Sequence, residues 1–323
     1  MIRMLSILIS LYISIGTNCF AIAPADNVST PQYELHIQPG RLADFFKWHP
    51  ARIPLVSHHR GGPVPGFPEN AIETMDHALK YGPGLMEVDV AQLSDGTLIL
   101  MHDDSLDRTT TGTGKLASLK VDDIKRLYLR DETGMVTKYK VPTLKQALLW
   151  TKNRAVLTLD IKRGVSFTNV AAEVMDAGVQ DYVVAITYSV KQAQAYHEIA
   201  PNMPLTISMS NEQDIEAVKN SGIPSHLIIA WTGLKRLSSE FYRQVHMEGW
   251  RVIMGTLGQE GISLDSQFML SSDEDGYVEL YNQGVDIIAT DRYQVVQEQI
   301  RKYLFPPNIF MFIKAPNYLK QSN

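Results

Sequence analysis

A single cysteine, Cys19, in 323 residues removes disulfides from any account of how this chain holds together. Basic residues are also short. Thirty Lys and Arg against 35 Asp and Glu give a net charge of −5, with no Lys/Arg run and no basic-aromatic stripe, so nucleic acid is not an expected partner. Nor does any apolar run reach the ~20 residues a membrane span needs; the longest, residues 5–20, is interrupted by small and polar side chains. What is present is 45% hydrophobic and 20% charged residues, enough for a sizeable core in one large domain.

Met1, Arg3, the apolar stretch 5–20 and Ala21-Ile22-Ala23 stand in the order of an export signal ending in small residues. Residues 1–23 are expected to be a signal peptide and 24–323 a single mature domain, periplasmic or secreted, without a stable membrane span. Lipidation of Cys19 ranks below simple secretion, because Gly16-Thr17-Asn18 places Asn where a lipobox has a small residue.

From Ile53 onward, short apolar runs alternate with helical patterns. The spacing predicts strands over 55–59, 85–90, 156–162, 183–187, 205–209, 227–231, 251–256 and 286–290. Helices are expected from the Asn70/Glu73 capping-box spacing to Gly82, from Thr143/Gln146, and over 170–177, 214–221, 241–248 and 277–283, each of these four followed by a glycine suited to a left-handed cap. Eight strands in this rhythm outline an α/β fold, a (β/α)8 TIM barrel. A doubly wound sheet is the runner-up, but no Gly-x-Gly-x-x-Gly opens a helix after the first strand. Between strands two and three lies an insertion at about 91–150, with a hairpin-like Asp95-Gly96 ahead of 98–101.

Charge interrupts two of these strands. Leu85-Met86-Glu87-Val88-Asp89-Val90 and Val156-Leu157-Thr158-Leu159-Asp160-Ile161-Lys162 place ionisable residues two apart, so each pair shares a face. Carboxylates sealed in a core without partners would be costly, and a divalent cation with an anionic substrate supplies an organising reason. Glu87, Asp89 and Asp160 offer only hard oxygen donors, which suit Mg2+, Ca2+ or Mn2+. Zinc would want His or Cys.

His59-Arg60-Gly61-Gly62, Pro68-Glu69-Asn70, Glu87-Val88-Asp89, His102-Asp103 with Leu106-Asp107-Arg108-Thr109-Thr110, Pro142-Thr143-Leu144, Asp160-Ile161-Lys162 and Thr290-Asp291 occur in this order. Over residues 55–292 the chain resembles the glycerophosphodiester phosphodiesterase family. The resemblance implies a TIM barrel, one divalent cation, and hydrolysis of small glycerophosphodiesters to glycerol phosphate and an alcohol.

Within that frame His59 and His102 are the acid/base candidates, since imidazole takes or gives a proton near neutral pH. Strand parity does not choose between His58 and His59; the family's His-Arg-Gly does. The other histidines, His36, His49, His77, His197, His226 and His246, read as structural. Arg60, by a planar fork, and Lys162, as a point charge, suit the non-bridging phosphate oxygens. Glu69 is expected behind them, orienting Arg60 or His59, and with Asn70 it also marks the start of the first helix.

Two positions depart from the family pattern. Asp160 stands where glutamate is usual, keeping the donor but shortening its reach. Gly255-Thr256 replaces a Trp-Thr pair on the seventh strand, while Trp231-Thr232 follows the sixth, so recognition of the alcohol half is not carried over. The 257–275 connection, with Glu260, Asp265, Asp273, Glu274 and Asp275, reads as solvated charge, and 108–114 as a tight turn. Two rivals are a lysophospholipase D-like enzyme, for which the loop sequences show no apolar rim, and a non-catalytic phosphodiester-binding barrel, which need not keep both histidines.

Overall fold

The computed structural model describes residues 33–304 and the backbone of 21–24. The expected export signal, with Cys19, otherwise lies outside the described residues. A short antiparallel pair, β1 (Ala21–Pro24) and β2 (Tyr33–His36), precedes the main sheet. Eight parallel strands then follow: β3 (Leu55–His58), β4 (Gly84–Gln92), β6 (Val156–Ile161), β7 (Val183–Thr187), β8 (Leu205–Ser208), β9 (Ile228–Trp231), β10 (Val252–Gly255) and β11 (Ile287–Thr290). Pairing of β3 with both β11 and β4 closes the sheet into a barrel, as the sequence rhythm predicts, and rules out the doubly wound sheet. One more strand, β5 (Leu98–Leu100), returns antiparallel along the end of β4 after the Asp95-Gly96 turn.

Both faces of a barrel strand are covered, so these strands are near-continuous Val, Ile and Leu, and almost every such residue is fully buried. Six of the helices between them start at side-chain caps. Thr143 and Gln146 form the expected capping box, and Ser166, Ser189, Asn211, Ser238 and Ser263 each accept an N–H three residues on. Gly178 and Gly284 close their helices in the left-handed conformation.

The structure departs from expectation in four places. Asn70 is not a cap: it sits at φ 59, and its amide serves Asp89 instead, so helix Ile72–Ala78 starts from Ala71 with no side-chain cap. Gly82 is not a left-handed terminator but a close approach, where a Cβ would collide with the Gln297 amide. Helices Val190–Ile199, Leu264–Ser271 and Tyr293–Leu304 lie outside the expected set. The expected insertion is also shorter than 91–150, since helix Leu144–Thr151 belongs to the barrel rhythm.

What remains of the insertion has its own small core, including Leu93, Ile99, Met101, Leu106, Leu116, Ile124 and Leu129. The N-terminal segment covers the opposite end of the barrel: Leu35 N–H donates to Arg154 C=O and Trp48 N–H to Gly249 C=O, both just ahead of barrel strands. Among the described residues no helix is long and apolar enough to cross a membrane.

Candidate active site

Pairing register decides which side chains face the barrel interior. His58 points outward, its ring 5.0 Å from that of Tyr293 on helix Tyr293–Leu304, so Ser57 points inward. Ser57 pairs with Leu85, which carries the inward set to Glu87 and Asp89; Asp89 pairs with Asp160. Continued around the barrel, the registers put Ser208, Trp231 and Gly255 on the same interior face. The mouth at the carboxyl ends of the strands is charged on one side and carries a tryptophan on the other.

Carboxyl oxygens of Glu87, Asp89 and Asp160 lie within 4.8 Å of one another. Asp89 is buried: Asn70 Nδ2 donates to Oδ2 at 2.7 Å, and Lys162 Nζ lies 2.6 Å from Oδ1. The same ammonium donates to Asp160 Oδ2 at 2.7 Å, while Tyr188 O–H donates to Asp160 Oδ1 at 2.8 Å. Glu87 Oε2 accepts the Arg60 N–H at 2.7 Å. Burial and then the Asp89 charge push the Glu87 carboxyl well up, in a cluster of three carboxylates whose neighbouring cations are Lys162 and the Arg60 guanidinium, Nε 3.6 Å from Asp89 Oδ2. Hard oxygens, clustered negative charge and a second lone pair on each oxygen fit a divalent cation.

Arg60 occupies a left-handed conformation, φ 51, costly for a side chain with a Cβ and of the kind found where a site over-determines its backbone. That turn aims its N–H at Glu87 and its guanidinium at Glu69, with Nη1 to Oε2 3.0 Å. Glu69 therefore holds Arg60 and not His59, the other expected partner. His59 Nδ1 meets Asp291 Oδ1 at 2.6 Å. Burial works against charge on His59, but the Asp291 bond and the Glu87 and Asp291 charges outweigh it and raise its affinity for a proton.

His102 is not on a barrel strand. It follows β5 in the insertion, and its Nδ1 meets Asp103 Oδ1 at 2.8 Å. Both histidines thus use Nδ1 on a carboxylate, which leaves Nε2 to exchange protons. His58, by contrast, is fully buried, donates from Nδ1 to Leu85 C=O at 2.9 Å, and is pushed down to about 4 by burial. Gly84 is glycine because a Cβ there would strike the His58 ring.

Several residues of the site escaped the sequence reading. Asp265, expected in solvent, is buried; it accepts Tyr277 O–H and the Asp291 N–H, each at 2.8 Å, and Thr290 O–H at 2.8 and 2.9 Å, fixing the backbone that carries Asp291. Arg108, expected in a simple turn, forks to both Glu69 and Asp103. A Cβ at Gly255 would lie 2.8 Å from Trp231 Cη2 and 2.5 Å from Leu234 Cδ2, so the glycine accommodates the tryptophan of the neighbouring strand.

Residues 59–295 match the glycerophosphoryl diester phosphodiesterase family. A solved glycerophosphoryl diester phosphodiesterase from Parabacteroides distasonis superposes with a TM-score of 0.78 at 30% identity, covering 85% of this chain and 96% of that one. Glycerophosphodiester phosphodiesterase of Bacillus subtilis is 25% identical over 223 residues, 62% of this chain and 75% of its own length. Human glycerophosphodiester phosphodiesterase 1 is 38% identical over 100 residues, so this match spans 30% of each chain. The family match takes in seven of the eight barrel strands and every charged group of the mouth described above, and the chain belongs to the glycerophosphoryl diester phosphodiesterase family.

Proposed function

We propose that this protein hydrolyses glycerophosphodiesters to glycerol phosphate and an alcohol with the help of one divalent cation. The observation that carries the reading is the pair of histidine-carboxylate couples, His59–Asp291 and His102–Asp103, flanking three clustered carboxylates. Glu87, Asp89 and Asp160 would hold Mg2+ or Ca2+, with Mn2+ an acceptable substitute. Such an ion supplies charge stabilisation to a phosphodiester and lowers the pKa of a bound hydroxyl.

The chain's own groups do the rest. Phosphodiester cleavage needs a proton taken from the attacking oxygen and one given to the leaving oxygen, and the two imidazoles provide both. Each Nδ1 is engaged by its carboxylate, so Nε2 is the working nitrogen in either role. Arg60, steadied by Glu69, and Lys162 bind the non-bridging oxygens and meet the charge that grows on them. The glycerol 2-hydroxyl, giving a cyclic phosphate that water then opens, and water itself are both served by this arrangement. Export to the periplasm or the medium belongs to the same reading and rests on Arg3 and the apolar segment 5–20.

One observation favours a second substrate class, the lysophospholipids. Loops after β7, β9 and β10 expose Tyr188, Leu234 and Ile262, at 58%, 51% and 65%, which would give an acyl chain apolar contacts. Assays of the purified protein on glycerophosphocholine, glycerophosphoethanolamine and lysophosphatidylcholine test both. Release of glycerol phosphate from the first two supports the proposal, turnover of the third alone favours the lipid reading, and turnover of none overturns both.

A further inference from the structure

The proposed chemistry requires groups on two separately built parts of the molecule to act together. His59, Arg60 and the three carboxylates are carried by barrel strands and their loops, whereas His102 is carried by an insertion packed on its own core. Tolerances in such a site are tenths of an ångström, so something must register the insertion against the barrel at the site itself.

Arg108 sits at that joint. Its Nη1 and Nη2 donate to Glu69 Oε2 and Oε1 at 2.9 and 2.8 Å, and its Nε and Nη2 donate to Asp103 Oδ2 and Oδ1 at 2.7 and 2.9 Å. Beyond Glu69 lies Arg60 Nη1 at 3.0 Å, and beyond Asp103 lies His102 Nδ1 at 2.8 Å. A single planar guanidinium from the insertion therefore ties the holder of the phosphate-facing arginine to the holder of the histidine. Lysine, with a compact ammonium, has no fork to match two carboxylates edge-on.

We propose that Arg108 is a positioning residue of the phosphodiesterase reaction: it fixes His102 and Arg60 in one frame without touching the substrate. The inference rests on the proposed function. A purely structural staple is the competing account. Arg108 is 49% exposed, and without it Glu69 keeps its bond to Arg60 and Asp103 its bond to His102, so the effect should appear chiefly in turnover and little in unfolding.

The test compares wild type, Arg108→Ala and Arg108→Lys in the full-length protein on glycerophosphocholine with saturating Mg2+. Arg108→Ala should lose about 10²-fold in kcat, as for a displaced catalytic group, with its melting midpoint within about 3 °C of wild type. Arg108→Lys should recover less than a tenth of the loss. Millimolar guanidinium should raise kcat of Arg108→Ala at least tenfold while leaving wild type and His102→Ala unchanged, a rescue no staple role predicts. Imidazole 15N shifts give a reading independent of turnover: His102 should hold its proton on Nδ1 in wild type and redistribute it in Arg108→Ala. An inactive wild type would overturn the proposed function. An active wild type, with either folded variant within threefold of it in kcat or with no guanidinium rescue, would overturn the role of Arg108.

Discussion

Asp291→Asn separates the charge behind His59 from the shape that carries it. Two donors converge on this carboxylate, His59 Nδ1 at 2.6 Å on Oδ1 and Gly258 N–H at 3.2 Å on Oδ2. Asparagine has one acceptor oxygen, so one of the two N–H groups must face an NH2. The shorter, stronger bond to His59 should keep the oxygen, and the backbone bond from Asp291 N–H to Asp265 should keep the residue in place. What is lost is charge: a hydrogen bond to a charged partner contributes about 1.5–3 kcal/mol against about 1 for a neutral one, a difference near tenfold in rate. Loss of the weaker Gly258 bond adds to it, so kcat should fall about 10–10²-fold, and more if the amide turns over and reverses the tautomer. Because Asp291 raises the proton affinity of His59, the limb of the kcat/KM profile that reports His59 should move to lower pH. Steady-state kinetics across pH 5–9 measure both. A kcat within twofold of wild type with an unmoved limb would refute the coupling.

Other expectations follow from the same geometry. Asp286 is buried at the far end of the barrel, accepting Val252 N–H and bonded to His246 and Arg52, with Arg251 beside it; Asp286→Ala should cost about 3–5 kcal/mol in urea unfolding, because Arg251 is left buried and less compensated. Burial alone would raise the Asp286 carboxyl, but the His246 bond and neighbouring positive charges hold it below the usual carboxylate value, so its contribution is complete above about pH 4 and lost as pH falls through the lower folded value. His59→Ala and His102→Ala should each lower kcat by about 10²–10⁴-fold while unfolding is little changed, and His58→Ala should do the reverse, lowering stability by about 2–4 kcal/mol through the gap left against Tyr293. Gly255→Ala, which displaces the Trp231 ring, should raise KM with little change in kcat if that ring walls the alcohol half of the substrate.

Much of this architecture is legible in the sequence, for reasons visible in particular residues. Val/Ile/Leu runs recur eight times with helical patterns between most of them, and a repeated local signal survives errors in any one element. Glu87, Asp89 and Asp160 stood out because charge two apart in an apolar strand has few explanations. Asn70 misled because its spacing to Glu73 satisfies a local rule, whereas its amide is taken by Asp89, a partner distant in sequence. Asp265 and Arg108 were hidden for a related reason. Each lies in a loop whose composition looks solvated, and only the fold shows which charge turns inward. His58 and His59 differ by one residue and therefore by one face, a distinction that two apolar neighbours, Leu55 and Val56, left undetermined and that the packing of His58 on Tyr293 makes plain.

Metal removal distinguishes a cation-assisted phosphodiesterase from one that works without an ion. Wild-type protein and Asp89→Asn would be stripped with EDTA, assayed on glycerophosphocholine, and reassayed after adding Mg2+, Ca2+ or Mn2+, with metal content and glycerol phosphate both measured. Stripped wild type should be inactive and recover with a hard divalent cation, while Asp89→Asn should stay folded, bind the ion weakly and recover little. Full release of glycerol phosphate by metal-free wild type would contradict it.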